Sequence, residues 1–380
     1  MGQRYIGAKT RVVDEILGYI KKVVPVGGTV ADLMCGNGSV SLKLRKSGYK
    51  VIAVDVLCQA YHITRTKVLL QNPPPFYGAK RYFKGDGQLL LAELSGYEMI
   101  LQTLNNLLPV EGYFWREFSP EGKPKNGSAP RKYFSSENAK KIDATRAFIL
   151  RLVEEKAITD IEYSLLIHDL IMASNNIANI AGTYGHYLSK FIPRALQPIK
   201  FTPTKFERGG LLEGHKIMNG YAEKLAPLIE ADLCYIDPPY KKRQYAANYH
   251  IPETIARGDE PEAQRKSGLR PWLDQYSDFC SKRKIRSAFD AIITRAKSNA
   301  FLVSYSSEGL LSKEEMADCL SKFGDVKVTE FPNKRFKSRN EHASEMVMEY
   351  LFYLQRKPTV QIPELFRHAE GAKLSHSQLR

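Results

Sequence analysis

Thr29-Val30-Ala31-Asp32-Leu33-Met34-Cys35-Gly36-Asn37-Gly38-Ser39-Val40 is the stretch on which the fold turns. Its first six residues read as a short strand, and the chain then runs through two glycines into a helix that continues to about Lys46. After Gly48 a second apolar run, Val51 to Val54, ends in Asp55. Strand, glycine turn, helix, strand and acid outline a nucleotide-type cofactor site at the edge of a parallel α/β sheet. Gly36 and Gly38 let the backbone turn sharply and approach a ligand. Asp55 can accept both hydroxyls of a ribose. Ser41 stands where a dinucleotide fingerprint has its third glycine, so the pattern favours a ribose-bearing cofactor without singling out a pyrophosphate.

A second stretch places another acid at the same kind of edge. Asp232 opens Leu233-Cys234-Tyr235-Ile236, an apolar run of the sort found in a buried parallel strand, and Asp237-Pro238-Pro239-Tyr240 ends it. Two prolines cannot continue a central strand, so the chain leaves the sheet there. Ligands bind at the carboxyl ends of strands in open α/β sheets. Asp237 and the carbonyl of Pro238 can each accept an N–H, and Tyr240 can stack on a ring, which together suit a planar amine such as the exocyclic amino group of a nucleobase. A plain turn at the strand end is the competing reading of the fragment alone.

The chain has 380 residues, enough for one large domain with an insertion or for two domains. A hydrophobic share of 43% supplies a core, and 56 basic against 41 acidic residues give a formal charge of +15, which favours a polyanionic partner such as nucleic acid. The five cysteines are scattered without a C-x-x-C pair, so neither a disulfide framework nor a metal site is indicated. With no signal-like apolar segment and no run long enough to span a bilayer, the expected setting is cytoplasmic and prokaryotic, away from membranes.

Elsewhere, Val12, Val13, Ile16, Leu17, Ile20 and Val24 predict a helix after Tyr5-Ile6-Gly7-Ala8-Lys9. Residues 82–87 read as a third strand ending in Asp86, an acid placed to bond an adenine amino group. From about residue 105 to 225 the composition changes. Residues 119–131 read as an exposed loop, helices are expected at about 136–155 and 160–181, and aromatics mix with basic residues through Gly182–Lys190 and on to Arg194, Lys200 and Lys205. Residues 241–300 are strongly basic, beginning Lys241-Lys242-Arg243. Residues 300–305 predict a buried strand, 326–331 and 346–354 a terminal antiparallel pair, and the tail from Arg356 is polar. There is no internal repeat.

Taken together, these motifs resemble the S-adenosylmethionine-dependent DNA adenine-N6 methyltransferases, particularly those of restriction–modification systems. Asp237-Pro238-Pro239-Tyr240 matches the family's catalytic motif. Asp32 to Val40 matches its cofactor motif, with Met34 at a usual Phe, and Tyr5 to Lys9 resembles its N-terminal motif, with Ala8 at a usual Gly. Ala178 to Gly185, Tyr133-Phe134 and Ile142-Asp143 are similar to segments of the group's central region. The resemblance covers roughly residues 4–355. Its motif order implies a Rossmann-like, seven-stranded, mostly parallel sheet with one antiparallel edge pair. The expected division is 1–104 and 226–355 as two halves of a catalytic domain, 105–225 as a largely helical inserted target-recognition region, and 356–380 as a tail.

The resemblance further implies S-adenosylmethionine over Asp32 and Gly36-Asn37-Gly38-Ser39, with Asp55 on its ribose, Asp86 on its adenine, and Lys9 and Tyr5 at its methionine end. A target adenine flipped from duplex DNA would meet Asp237, the Pro238 carbonyl and Pro239. Tyr240 would stack on one face, Phe336 would stand at the other, and Lys241 and Arg243 would contact the substrate. The methyl group would pass by direct displacement, and a functionally paired restriction endonuclease is the implied partner. Cytosine-N4 methylation, RNA adenine methylation and a non-catalytic DNA-binding module of the same fold are the alternatives. Asp before Pro-Pro-Tyr, the long insert and the intact glycine loop respectively weigh against them.

Overall fold

The helical periodicity near the N-terminus forms α1 (Val13–Val23), and Ile16, Leu17 and Ile20 are its buried stripe. The protein is seen here in a computed structural model that describes Lys9 and residues 12–83, 94–334 and 346–357. After α1 come β1 (Thr29–Asp32), α2 (Ser39–Lys46), β2 (Lys50–Asp55) and α3 (Cys58–Leu69). Gly38 caps α2 at φ 71°, and a Cβ there would lie 2.7 Å from Thr64 Oγ1 and 3.2 Å from Thr64 Cα of α3. Both the dihedral and the close approach require glycine.

The chain then leaves the sheet to build a helical lobe from α4 (Gly96–Asn106), α5 (Tyr113–Phe118), α6 (Ser136–Glu154) and α7 (Asp160–Asn176). Ser95 with Glu98, and Thr159 with Glu162, form capping boxes that satisfy first-turn amides of α4 and α7. The lobe has its own core, including Ile100, Phe114, Phe118, Ile142, Leu166 and Leu170, and Ile63 of α3 belongs to it. Helix α3 therefore serves both the sheet layer and the lobe.

The return path runs through β3 (Lys216–Asn219), α8 (Ala222–Leu225), β4 (Leu233–Ile236), α9 (Tyr245–Asn248), α10 (His250–Arg257), α11 (Ile285–Arg295), β5 (Ala300–Ser306), α12 (Lys313–Ser321), β6 (Gly324–Lys334) and β7 (Met346–Arg356). The seven strands stand in the order β3-β2-β1-β4-β5-β7-β6. All neighbours are parallel except the pairs made by β7, which runs antiparallel to both β5 and β6. Side chains alternate between two buried faces. Val30, Val51, Leu233 and Leu302 pack with α1 and α2, whereas Ala31, Ile52, Cys234 and Val303 pack with α11 and α12. Connections run outward from β1 in one direction and from β4 in the other, so the switch point lies between them.

The seven-stranded, mostly parallel sheet expected from the sequence is thus present, and β6 and β7 form the terminal antiparallel pair. The strand expected at 82–87 lies outside the described residues from residue 84 onward. Tyr77–Tyr82 form a 3-10 helix whose Tyr82 packs on the lobe core, and Asp86 lies outside the described residues. The strand beside β2 is Lys216–Asn219, an edge strand with no fully buried residue and polar flanks, so no apolar alternation marks it in the sequence. Helix α7 also stops earlier than its periodicity suggested. The Asn179 N–H donates to the carbonyl of Tyr133 at 2.8 Å in place of helical pairing, and its side chain donates to the carbonyls of Lys132 and Leu188, both at 2.9 Å, and accepts from Ile192 N at 3.1 Å.

Candidate active site

The carboxyl ends of β1 and β4 meet at the switch point, and a cleft opens over them. It is lined by the glycine loop, Asp55 to Leu57 after β2, Gly220 to Glu223 after β3, Asp237 to Tyr240 after β4, the start of α9, and Gln275, Ser277 and Phe279. Lys9 closes one side. Parallel register with β4 at Asp32↔Tyr235 sets Asp32 and Asp237 at the same edge.

On the glycine-loop side the polar groups are held by backbone. Asp55 accepts from Gly36 N at 2.8 Å through Oδ2 and from Leu57 N at 2.9 Å through Oδ1. A carboxylate has about four acceptor sites, so these bonds leave capacity for a ligand. Burial pushes this carboxyl up to about 6, against the pull of the Leu57, Gly36 and Val56 amides. Asp32 accepts from Ser41 Oγ at 2.6 Å, and burial raises it to about 7, with the Asp237 and Asp55 charges adding to the rise. Asn37 Oδ1 accepts from Ser39 N at 3.1 Å, fixing the loop ahead of α2. Val56, Leu57, Tyr221 and Phe279 supply apolar walls.

On the β4 side the carboxylate is held by side chains. Asp237 Oδ1 accepts the Tyr240 hydroxyl at 2.8 Å and lies 3.3 Å from Lys9 Nζ. Lys9 also donates to Tyr240 Oη and, at 3.1 Å, to Glu349 Oε2. Burial pushes Asp237 up to about 6 against Lys9 and the Tyr240 hydroxyl, and the Glu349 charge works in the same direction as burial. The Tyr240 ring meets Tyr305 edge-on, with centroids 5.1 Å apart.

The structure thus brings Lys9, Asp32, Gly36, Asn37, Ser39, Asp55, Asp237, Pro238, Pro239 and Tyr240 to one cleft, with Gly38 directly behind it as the cap of α2. Lys241 and Arg243 are exposed just beyond, and Lys241 pairs with Glu308 at 3.0 Å. Tyr5, Asp86 and Phe336 lie outside the described residues. Glu349, Gln275 and the Gly220–Glu223 turn carry no motif that marks them in the sequence as site residues. Glu349 had a usable signal, because it is a lone acid inside the apolar run Met346 to Leu354 and is buried in the fold. The others lie in segments without periodicity. Tyr249 is 1% exposed and packs against Tyr245, so it covers the sheet edge and does not face solvent.

Comparison with known proteins gives a consistent result. Residues 5–319 match the family model of the D12 class N6 adenine-specific DNA methyltransferases. The type II methyltransferase M.FokI of Planomicrobium okeanokoites is 33% identical over 360 residues, covering 93% of this chain and 52% of the relative. M.NlaIII of Neisseria lactamica is 30% identical, covering 93% and 99%. M.CviAII of Paramecium bursaria Chlorella virus 1 is 30% identical, covering 92% and 97%. The chain therefore spans about half the length of M.FokI and nearly all of the other two.

Proposed function

Because the chain belongs to the D12 class N6 adenine-specific DNA methyltransferase family, we propose that it transfers a methyl group from S-adenosylmethionine to the N6 amino group of adenine at a specific site in duplex DNA. The observation that carries this reading is the meeting of Asp237-Pro238-Pro239-Tyr240 with the glycine loop in one cleft at the switch point.

The residues fit the cofactor by their donor chemistry. Asp55 offers two carboxylate oxygens to a ribose, the loop from Gly36 to Ser39 offers close backbone approach, and the apolar walls beside Tyr221 suit an adenine face. Asp32 and Asn37 hold the loop, and Lys9 stands where the methionine end meets the acceptor, with Tyr5 assigned to that end and Asp86 to the adenine. When bound, S-adenosylmethionine supplies an electrophilic methyl group on a sulfonium.

An adenine stacked inside a duplex cannot reach this cleft, so the base must be flipped out. Asp237 and the Pro238 carbonyl then accept the two amino hydrogens, which draws the nitrogen lone pair out of the ring and orients it for displacement. Asp237 also offsets the positive charge that develops on the nitrogen. Pro238 and Pro239 fix the backbone so that the carbonyl faces the base, Tyr240 stacks on it, and Phe336 is assigned to its other face. Lys241 and Arg243 contact phosphates at the mouth. The lobe within 105–225 reads the target sequence, and residues 1–104 and 226–355, joined by β3 and the Gly220–Glu223 turn at the end of the insert, form the catalytic domain with 356–380 as a tail. A paired restriction endonuclease is the expected functional partner, and the cytoplasm the expected setting. Among the described residues no helix is long and apolar enough to cross a membrane.

Incubation with radiolabelled S-adenosylmethionine and either duplex DNA or RNA, followed by base analysis, tests the reading. N6-methyladenine in duplex DNA is expected. N4-methylcytosine, label in RNA alone, or no label with either nucleic acid would overturn it.

A further inference from the structure

Glu349 has no part in the scheme above, yet at 3.1 Å it lies nearer the Lys9 ammonium than Asp237 does at 3.3 Å. It reaches Lys9 and Tyr240 behind the cleft because β7 runs antiparallel, so its N-terminal half lies at the carboxyl ends of the parallel strands, with Glu349 in register with Ser306 of β5. Its side chain is 10% exposed and that of Lys9 is 7%. A carboxylate this deep is held only where a partner offsets its desolvation.

The donors of Lys9 face Tyr240 Oη, Glu349 Oε2 and, at 3.3 Å, Asp237 Oδ1. The Tyr240 hydroxyl is 3.4 Å from Glu349 Oε2 and 3.3 Å from Ser304 Oγ. These contacts all engage Oδ1 of Asp237 or the groups that bind it. Oδ2 has no hydrogen-bond partner among the described residues. One cation is shared by two carboxylates, so Asp237 is oriented by Lys9 without being fully neutralised by it.

We propose that Glu349 is the positioning residue of the acceptor clamp, holding and partly neutralising Lys9 so that Asp237 keeps its orientation and Oδ2 remains a strong acceptor for the target amine. This assignment of Oδ2 rests on the methyl-transfer reading, whereas the ionic arrangement itself does not. The titratable groups facing Asp237 are Lys9 from the segment before α1, Asp32 at the end of β1, Tyr235 on β4, Tyr240 after it, Tyr245 of α9 and Glu349 of β7. Of these, Lys9 lowers the Asp237 midpoint and Glu349 raises it.

The test compares the full chain with Glu349→Gln, which keeps an acceptor for Lys9 and removes the charge. In cofactor-free protein labelled with 13C-aspartate, the Asp237 carboxyl signal, assigned from its loss in Asp237→Asn, is titrated with pH. Its midpoint is expected to fall by about one unit in Glu349→Gln. The acid limb of kcat for adenine methylation is expected to move down with it, while kcat at its plateau drops by on the order of 10- to 100-fold. Glu349→Asp should give the same displacement to a smaller extent and recover part of kcat. If Glu349→Gln fails to fold, Glu349→Asp alone decides, because the withdrawn carboxylate must still lower the midpoint. An unmoved midpoint in the folded variant overturns the inference, even where activity falls. Absence of adenine methylation by the unsubstituted chain would defeat the functional reading and leave the titration result standing.

Discussion

Two carboxylates at the same sheet edge are held in opposite ways. Asp55 is fixed by the amides of Gly36 and Leu57, both within the strand–loop–helix–strand unit that surrounds it. Asp237 is fixed by Lys9 from one end of the chain, by Tyr240 beside it, and through Lys9 by Glu349 from the other end. Backbone amides of a buried loop carry fixed dipoles and no protonation equilibrium. An ion cluster is adjustable and depends on the placement of several side chains. The difference suits the proposed tasks, since a cofactor site needs a stable cradle and an acceptor site must adapt its charge as the reacting nitrogen becomes cationic.

The strongest way to break the contrast is Asp237→Ala. Methyl transfer in single-turnover assays is expected to fall by at least about 1,000-fold, while calorimetry shows S-adenosylmethionine affinity retained within a few-fold. The pH dependence sharpens the same point. Asp237 must be ionised to accept the amine, so kcat is expected to decline as pH falls through about 6. Stability runs the other way. Asp32, Asp55 and Asp237 all titrate above the ordinary 3.8, so from about 4 up to 6 or 7 the folded chain binds more protons than the unfolded one. Their contribution is greatest below that window and declines as pH rises through it. Thermal melts at pH 5.5 (about half a unit below the activity midpoint) are therefore expected to show an intact fold where transfer is already failing.

Asp55→Ala should act on the other side. Losing charge-assisted bonds to a ribose is expected to weaken cofactor binding by roughly 10- to 150-fold, with kcat at saturating cofactor changed far less. Calorimetry and saturation kinetics separate the two. Equal losses in kcat for Asp55→Ala and Asp237→Ala would erase the distinction between cradle and clamp.

Gly38→Ala probes the cradle's geometry instead of its charge. The φ of 71° and the 2.7 Å approach to Thr64 Oγ1 together are expected to cost about 1–3 kcal/mol of stability, read by denaturant unfolding. Adding Thr64→Ala should recover only part of this, because Thr64 Cα still lies at 3.2 Å and the dihedral is unchanged. Smallest of all, Arg243→Ala at the exposed mouth is expected to weaken DNA binding uniformly across sequences and to reduce the slope of log affinity against log salt by about one. An unchanged slope would remove Arg243 from the phosphate contacts.

Local sequence determined much of this protein. The glycine loop, both acid-terminated strands, the antiparallel terminal pair and α6 follow from short-range patterns of apolar spacing, glycine and proline, because each is stabilised largely by its own backbone geometry and by one buried face. The Asp-Pro-Pro-Tyr stretch announced an exit from the sheet for the same reason. Tertiary structure decided what spacing cannot encode. It placed Lys216–Asn219 as the strand beside β2, an edge position that asks for little hydrophobicity. It ended α7 by drawing the Asn179 N–H to the carbonyl of Tyr133, far back in the chain. It also carried Glu349 across the antiparallel turn of the sheet to within 3.1 Å of Lys9. Those outcomes rest on contacts between residues far apart in the chain, whose energies exist only once the sheet has closed around them.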